Sequence, residues 1–208
     1  MQKKNLSLIL IALSILLIGG AKKDYKFNIV ENNKPAATII IPQKASDEDK
    51  FAAQELQTYL EKISGIRIPI ETDTNSVQGN KILIGRNQYV KTLGVSYEDL
   101  EPEGFKIKTI GDNLVLLGRE PSGTEFAVYT FLEKYLGVRW FWPGDLGQVV
   151  PESKKIEIGQ IDLREEPDYK MRLIGEPETG PNEPSLWGRR NKRGGSVREK
   201  FNGSFYEM

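Results

Sequence analysis

The side chains able to do chemistry in this sequence are carboxylates, hydroxyls, amines and guanidinium groups, because its 208 residues include no His and no Cys. Thiol nucleophiles, disulfides, Cys/His zinc sites and His-based triads are therefore excluded for this chain. Paired carboxylates remain, and glycoside hydrolysis needs only two Asp or Glu side chains about 5–10 Å apart. The candidate pairs considered are Glu165-Glu166 and Glu176/Glu178.

Neither carboxylate pair is assigned a catalytic role. Glu165 and Glu166 are adjacent, so in an extended segment their side chains point to opposite sides, as is typical of a linker surface. Glu176 and Glu178 follow the predicted strand Tyr169–Ile174 and are interpreted as acids of an exposed loop. The catalytic residues are therefore unknown from the sequence, and no cofactor or metal site is predicted.

Tryptophan side chains are the other candidates for contact with sugars, because sugar rings can stack on aromatic faces. Trp187 lies in polar, Gly-rich surroundings that offer little to bury it, and Arg190 and Asn191 follow shortly after. These three are the predicted substrate-binding residues, with burial of Trp187 under a further domain as the alternative. The run Trp140-Phe141-Trp142 is predicted to be a strand with both Trp side chains on one face, and packing is favoured there over sugar stacking.

Two further patterns bear on phosphate binding. Gly118–Thr124 has the spacing of a phosphate loop but lacks its Lys, and Ser122 with Glu125 is interpreted as a helix capping box. Arg189–Gly195 is a short basic run that could contact phosphates or pair with the carboxylate of a uronic acid. Because 29 Lys+Arg balance 29 Asp+Glu, no nucleic-acid partner is predicted.

The first residues are typical of a secretory signal. Lys3 and Lys4 precede the apolar run Leu6–Ile18, and small residues follow up to Ala21. The run is shorter than the about 20 residues of a transmembrane helix. We therefore predict a signal peptide over residues 1–21 and an exported protein that meets the membrane only through this segment; an uncleaved anchor is the alternative.

Local patterns predict a mixed α/β domain over residues 22–162. Helices are expected over 46–65 and 122–137, each with a polar start, an apolar face and a terminal Gly. A hairpin is expected to join Phe105–Ile110 to Leu114–Leu117. Other strands are predicted at Phe27–Val30 and Thr38–Ile41, which should pair, and at Ile68–Glu71, Lys81–Gly85, Val138–Trp142 and Lys155–Ile158. This order favours a mixed sheet with two main helices on one face.

Residues 163–208 have a different composition. A linker is expected at Arg164–Pro167, followed by the strand Tyr169–Ile174 and a segment rich in Gly, Pro, Arg, Asn and Ser. So short a segment cannot form a second core of its own. We therefore expect it to be the start of an incomplete domain and to be sensitive to proteases.

Several separated motifs carry a family resemblance. They are Phe51-Ala52-Ala53-Gln54-Glu55-Leu56, Ile82-Leu83-Ile84-Gly85, Gly104-Phe105, Gly118-Arg119, Gly123-Thr124, the run from Gly137 to Gly144, Val150-Pro151, and the run from Pro167 to Arg172. The first two resemble the non-catalytic N-terminal domain of hexosaminidase-type and alpha-glucuronidase-type glycoside hydrolases. The whole series, over about residues 30–175, resembles the bacterial proteins grouped as domain of unknown function 4838.

This resemblance implies a β-hexosaminidase domain 2-like fold ahead of a (β/α)8 barrel, with Tyr169–Ile174 as the first barrel strand. It also implies that the partner is a polysaccharide or oligosaccharide. In such proteins the acid and base lie further along the barrel, so the chain is expected to be an accessory domain that lacks them. Whether it is an enzyme stays open. The alternatives are a carbohydrate-binding or domain-docking module of the cell envelope, or a purely structural envelope protein.

Overall fold

The computed structural model describes residues 25–120, 122–169, 171–172 and 183–195. The strands, in chain order, are Phe27–Glu31 (β1), Lys34–Pro35 (β2), Ala37–Ile41 (β3), Ile70–Thr72 (β4), Asn80–Ile84 (β5), Phe105–Ile110 (β6), Asn113–Gly118 (β7), Arg139–Trp140 (β8), Gln148–Val149 (β9), Ile156–Ile158 (β10), Asp162–Glu165 (β11), Met171–Arg172 (β12) and Gly194–Gly195 (β13). The helices are Asp47–Ser64 (α1), Gln88–Thr92 (α2), Gly123–Leu136 (α3) and Glu183–Arg190 (α4).

The largest sheet has six strands in the order β11-β6-β7-β5-β3-β4. The strands β7, β5, β3 and β4 are parallel, whereas β6 and β11 run antiparallel to their neighbours. The hairpin of β6 and β7 is confirmed, with Ile110 opposite Asn113 next to the turn. With the two long helices α1 and α3, this sheet confirms the predicted mixed α/β class.

Both long helices form where their sequence signals predict. The Ser46 hydroxyl caps α1 by accepting a hydrogen bond from the Asp49 N–H, and Gly65 ends the helix at a φ of +77°, which glycine adopts without strain. Residues of α3 from Gly123 to Leu132 are all buried. A helix buried on every side is central to the core, and α3 packs against both α1 and the sheet.

The predicted pairing of Phe27–Val30 with Thr38–Ile41 is wrong. β1 lies in a small separate sheet, between β10 and the two-residue β2. Asn32 and Asn33 both have left-handed φ angles, 52° and 55°, as in a type I′ hairpin turn. The chain therefore folds straight back onto β2 and only then crosses into the large sheet as β3.

Two further local predictions are corrected. The Ser122 side chain makes no capping hydrogen bond to α3, since its ψ of 4° departs from the extended backbone of a cap such as Ser46. Glu125, the expected reciprocal partner, is turned toward Arg189 instead. The predicted strand Val138–Trp142 is reduced to β8, and the chain then turns. Trp140 is consequently buried while Trp142 is 55% exposed, so the two Trp side chains do not share a face.

The expected linker Arg164–Pro167 is also partly wrong, since Arg164 and Glu165 belong to the edge strand β11 and pair with β6. Its acids are held in place: Glu165 accepts a hydrogen bond from Lys134, and Glu166 accepts from Arg164. Beyond it, β12 pairs antiparallel with β13. The predicted signal segment 1–21 and the acids Glu176 and Glu178 lie outside the described residues.

Candidate docking face and aromatic cleft

Three buried glutamates of the sheet-and-helix unit each meet an arginine from residues 171–195. We call the described residues 25–165 the module. The three pairs are Glu55 with Arg190, Glu125 with Arg189, and Glu103 with Arg172. In each pair, moreover, the guanidinium group lies over an aromatic ring of α1 or α3. The module therefore presents carboxylates and rings that together recognise guanidinium groups.

The pair of Glu55 and Arg190 is the most buried of the three, with side chains 11% and 13% exposed. Arg190 donates from Nε to one carboxylate oxygen at 3.0 Å and from Nη2 to the other at 3.1 Å. This is the bidentate geometry that a guanidinium group favours. The Tyr129 hydroxyl donates a further hydrogen bond to Glu55 at 3.3 Å, so both carboxylate oxygens are occupied.

Glu125 and Arg189 form the second bidentate pair, with Arg189 Nε 2.9 Å from Oε2. The Glu125 side chain is 2% exposed, whereas that of Arg189 is 39% exposed. Burial raises the pKa of Glu125, and the neighbouring Arg189 opposes this shift. Arg189 also lies over the Phe51 ring, 4.2 Å from its centroid. The arginine thus covers the carboxylate while its own outer edge remains in contact with water.

The third pair fastens β12 to the loop before β6. Arg172 donates from Nη2 to Glu103 at 2.6 Å, and its guanidinium group lies 5.7 Å from the Phe126 ring centroid. Glu103 is buried and adopts a left-handed φ of 64°, a conformation that is uncommon for a residue other than Gly, Asn or Asp. A left-handed residue held at a buried ion pair is well fixed by its surroundings.

Below the arginines lies a cluster of aromatic residues. The rings of Tyr59 and Tyr129 both meet Trp140 edge to face, with centroids 5.3 and 5.6 Å apart. Trp140 Nε1 donates to the Tyr59 hydroxyl at 2.7 Å, and this hydroxyl donates to Gln148 at 2.8 Å. Each hydroxyl and indole N–H group in this set has a hydrogen-bond partner, so the cluster is rigid. Because α4 packs on it, we call Tyr59, Tyr129 and Trp140 the aromatic floor.

The predicted substrate-binding residues come together on this floor. Trp187 Nε1 and the Asn191 side-chain amide both donate to the Trp140 carbonyl oxygen, at 3.0 and 3.1 Å. Trp187 is partly buried against the core, so α1, α3 and β8 supply the burial that its sequence surroundings do not. Arg190 is occupied by Glu55. Sugar contact by Trp187, Arg190 and Asn191 remains a prediction.

A small cleft opens beside Trp187, with a volume of about 170 Å³. The module contributes Lys62, Trp140, Trp142, Gly144, Asp145 and Gln148 to its wall, and α4 contributes Leu186, Trp187 and Arg190. Lys62 Nζ lies 3.9 Å from Asp145, and the Trp142 ring is half exposed. Pockets for drug-sized ligands are about 300–1,000 Å³. The cleft is therefore large enough for a single six-membered ring that carries both an apolar face and hydroxyl groups.

Another cavity, of about 200 Å³, lies where β3, β5 and β7 end. It is lined by the starts of α1 and α3, including Asp49, Thr124 and Glu125, and by Arg86. Burial raises the pKa of Asp49. The segment Gly118–Thr124 forms part of the wall, and with four acids among the lining residues the cavity is poorly suited to phosphate. Among the described residues no His, Cys, Asp or Glu cluster suited to a metal ion is found.

The three glutamates Glu55, Glu103 and Glu125 form what we call the docking face. The sequence does not identify them as such, although it carries one signal. Glu55 falls three residues after Ala52 and four before Tyr59, so it lies on the apolar face of α1. A charged residue on an apolar helical face needs a partner. For Glu125 the sequence spacing predicts a local cap, and nothing in the sequence identifies Arg189 as its partner.

No helix within the described residues is long and apolar enough to span a membrane. Comparison with curated protein sequences finds no match. Among solved structures, a family GH115 4-O-methyl-alpha-glucuronidase, BtGH115A, is similar at 21% identity and a TM-score of 0.44, over 65% of this chain and 18% of that protein. The GH20 beta-N-acetylhexosaminidase from Streptomyces coelicolor A3(2) is similar at 14% identity and a TM-score of 0.46, over 72% of this chain and 25% of that protein.

The chain thus spans a quarter or less of these two proteins. The family model described as glycosyl hydrolase family 67 N-terminus matches residues 27–131, about half of the chain. The match runs from β1 into α3 and includes Glu55, Glu103 and Glu125, the three carboxylates of the docking face. The chain belongs to the glycosyl hydrolase family 67 N-terminus family.

Proposed function

We propose that this chain is the accessory N-terminal part of an exported carbohydrate-active protein of glycoside-hydrolase type, of the domain of unknown function 4838 group. In this proposal the module docks the start of a (β/α)8 barrel, of which the structure describes residues 171–172 and 183–195. The family match over residues 27–131 supports the glycoside-hydrolase type, and the three arginine–glutamate pairs carry the docking role. They join residues far apart in sequence and commit charged groups to docking rather than to catalysis.

The buried carboxylates support a non-catalytic role. In the part of the chain that the structure describes, the buried acids are Glu55, Asp73, Glu103 and Glu125. Three are paired with arginines, and Asp73 accepts backbone N–H donors from Gln43 and Gln88. A general acid in a glycosidase must be free to give its proton to the leaving group. A carboxylate held in a bidentate arginine pair is poorly placed to do so.

Hydrolysis by the purified chain tests this part of the proposal. We expect no turnover of aryl glycosides, aldobiouronic acids or N-acetylhexosaminides above a no-protein blank. Turnover that Glu55→Gln or Glu125→Gln abolishes, with the fold intact by circular dichroism, would instead make these residues catalytic and overturn the accessory role.

A second candidate function is carbohydrate contact at the cleft, and the placement of Trp187 and Arg190 in its wall favours it. Trp142 offers a half-exposed ring for stacking, while Lys62, Asp145 and Gln148 offer the donors and acceptors that sugar hydroxyls need. In this candidate Asn191 acts indirectly, by holding Trp187 against the Trp140 carbonyl group.

Binding of glucuronic acid, galactose and N-acetylglucosamine, followed by NMR or calorimetry at millimolar concentration, tests the cleft. We expect Trp142→Ala to abolish binding. The matched control is Phe141→Ala, because Phe141 is 69% exposed and does not line the cleft. If both variants lose sugar binding, or if the unmodified chain binds no sugar, the cleft is not a sugar site. Docking is then the sole proposed role.

A further inference from the structure

Residues 183–195, which comprise α4, the following turn and β13, lie on the module like a strap. Their described side-chain contacts with it are largely polar: Arg189 and Arg190 on two glutamates, Lys192 on Thr130, and the donors of Trp187 and Asn191 on the Trp140 carbonyl. We call these residues the strap. We propose that the strap opens as a unit while the module stays folded, and that the cleft exists only while the strap is closed.

The energetics of the contacts favour separate opening. The module is held by a continuous apolar core through α1, α3 and the large sheet, whereas the strap adds Trp187 as its one described apolar contact with that core. Arg189 keeps 39% of its side chain exposed, so water can compete for its ion pair. The pair of Arg190 and Glu55 is more buried, at 13% and 11%, and it holds the strap more firmly. Segments with few buried apolar contacts open at a lower free energy than the core.

Opening need not leave the two carboxylates of Glu55 and Glu125 buried without a partner. While the strap is closed, Glu55 and Glu125 are buried carboxylates that depend on their arginines. A buried charge left without its partner is strongly unfavourable. Once the strap lifts, water can replace the guanidinium groups at both carboxylates, so the module need not unfold to solvate them.

The cleft depends on the strap because its wall comes from both parts. Leu186, Trp187 and Arg190 belong to the strap, and the remaining lining residues belong to the module. Lifting the strap removes one side of the cleft entirely. A molecule that contacts both sides binds the closed state alone and shifts the population toward it. This last step rests on the proposed carbohydrate contact, whereas opening of the strap does not.

Hydrogen exchange on the full chain, read by mass spectrometry, tests the strap. We expect amides of residues 183–195 to exchange faster than those of α1 and α3. Arg189→Met, which lies outside the cleft wall, should speed strap exchange by about tenfold, corresponding to about 1.4 kcal/mol, and leave the exchange of α1 and α3 unchanged. The matched control is Arg164→Met, which breaks exposed ion pairs with Asp99 and Glu166 and should leave the strap unaffected.

Uniform exchange across strap and module in the unmodified chain, or acceleration everywhere in Arg189→Met, would show one cooperative unit and overturn the proposal. If Arg189→Met does not fold, Arg189→Met/Glu125→Gln removes the uncompensated charge. A folded double variant with fast strap exchange supports the strap, and failure of both variants to fold overturns it.

Assembly of the cleft is read separately by tryptophan fluorescence. In a Trp142→Phe background the remaining tryptophans, Trp140 and Trp187, both lie at the contact between strap and module. Arg189→Met should then increase quenching by acrylamide at least twofold. Unchanged quenching together with fast strap exchange would contradict the dependence of the cleft on the strap. If the chain binds no sugar but hydrogen exchange shows the expected opening of the strap, only the proposed carbohydrate contact is overturned.

Discussion

Arg190 and Glu55 are separated by 135 positions in the chain, yet two hydrogen bonds of 3.0 and 3.1 Å join the guanidinium group to both carboxylate oxygens. Glu55 lies on the buried face of α1, and Arg190 ends α4. The contact therefore fixes the end of one helix against the middle of another. The two residues depend on each other, since neither charge is well solvated where it lies.

Arg190→Met is expected to lower the free energy of unfolding by about 1–3 kcal/mol, because it leaves the Glu55 carboxylate without its main donor. Removing one partner of a buried ion pair typically costs about 3–5 kcal/mol. We expect a smaller loss here, because opening of the strap lets water reach Glu55. Urea denaturation followed by circular dichroism measures it. The double variant Glu55→Gln/Arg190→Met should recover more than half of the loss, and no recovery would contradict the assignment of the cost to an unpaired charge.

Tyr59→Phe tests the hydrogen-bonded floor of the docking face. The hydroxyl accepts from Trp140 Nε1 at 2.7 Å and donates to Gln148 at 2.8 Å, so its removal leaves a buried indole N–H without a partner. We expect a loss of about 1–3 kcal/mol in thermal or urea unfolding. Tyr169→Phe is the matched control, because Tyr169 is 75% exposed, and its change should stay within about 0.5 kcal/mol. Equal losses of stability in the two variants would show that the hydrogen bonds of the Tyr59 hydroxyl do not stabilise the fold.

Features that depend on neighbouring residues were predictable from the sequence. The cap at Ser46, the stops at Gly65 and Gly137, and the hairpin of β6 and β7 all formed where expected. Each is determined by side chains a few positions apart. The order of helices and strands, and hence the mixed α/β class, follows from such local signals.

Features that depend on distant partners were not predictable. Ser122 and Glu125 have the spacing of a capping box, but the carboxylate gains more from a guanidinium group 64 positions away than from one backbone N–H. Trp187 looked exposed because its burial comes from β8 and the core. The sequence predicts that β1 pairs with β3, because its true partner β2 has only two residues and is too short to give a recognisable pattern.

Gly118→Ala is expected to destabilise the fold by about 1–3 kcal/mol or more, because a Cβ there would lie 1.9 Å from the Gly123 carbonyl carbon. The contact lies where β7 meets the start of α3, so the backbone of two core elements must move. Gly159→Ala is the matched control, since a Cβ at Gly159 meets nothing within 4 Å. Thermal unfolding of both variants measures the difference, and similar melting temperatures would contradict the close approach.

The pH dependence of stability tests the burial of Glu125. Burial raises the pKa of this carboxyl group, although Arg189 opposes the shift. The folded protein therefore binds the proton more tightly than the unfolded chain. The contribution of Glu125 to the free energy of unfolding should accordingly rise as the pH falls through its folded-state pKa, and level off below the ordinary glutamate pKa of about 4.3.

Glu125→Gln cannot titrate at this position, so the difference between the unmodified chain and the variant isolates this contribution from all other acids. Urea unfolding at pH 7 and pH 4 should show the unmodified chain gaining stability relative to Glu125→Gln at the lower pH. The opposite sign would mean that attraction to Arg189 outweighs the loss of hydration. In that case acid would weaken the attachment of α4, and Arg189 would contribute more to docking than its partly exposed position indicates.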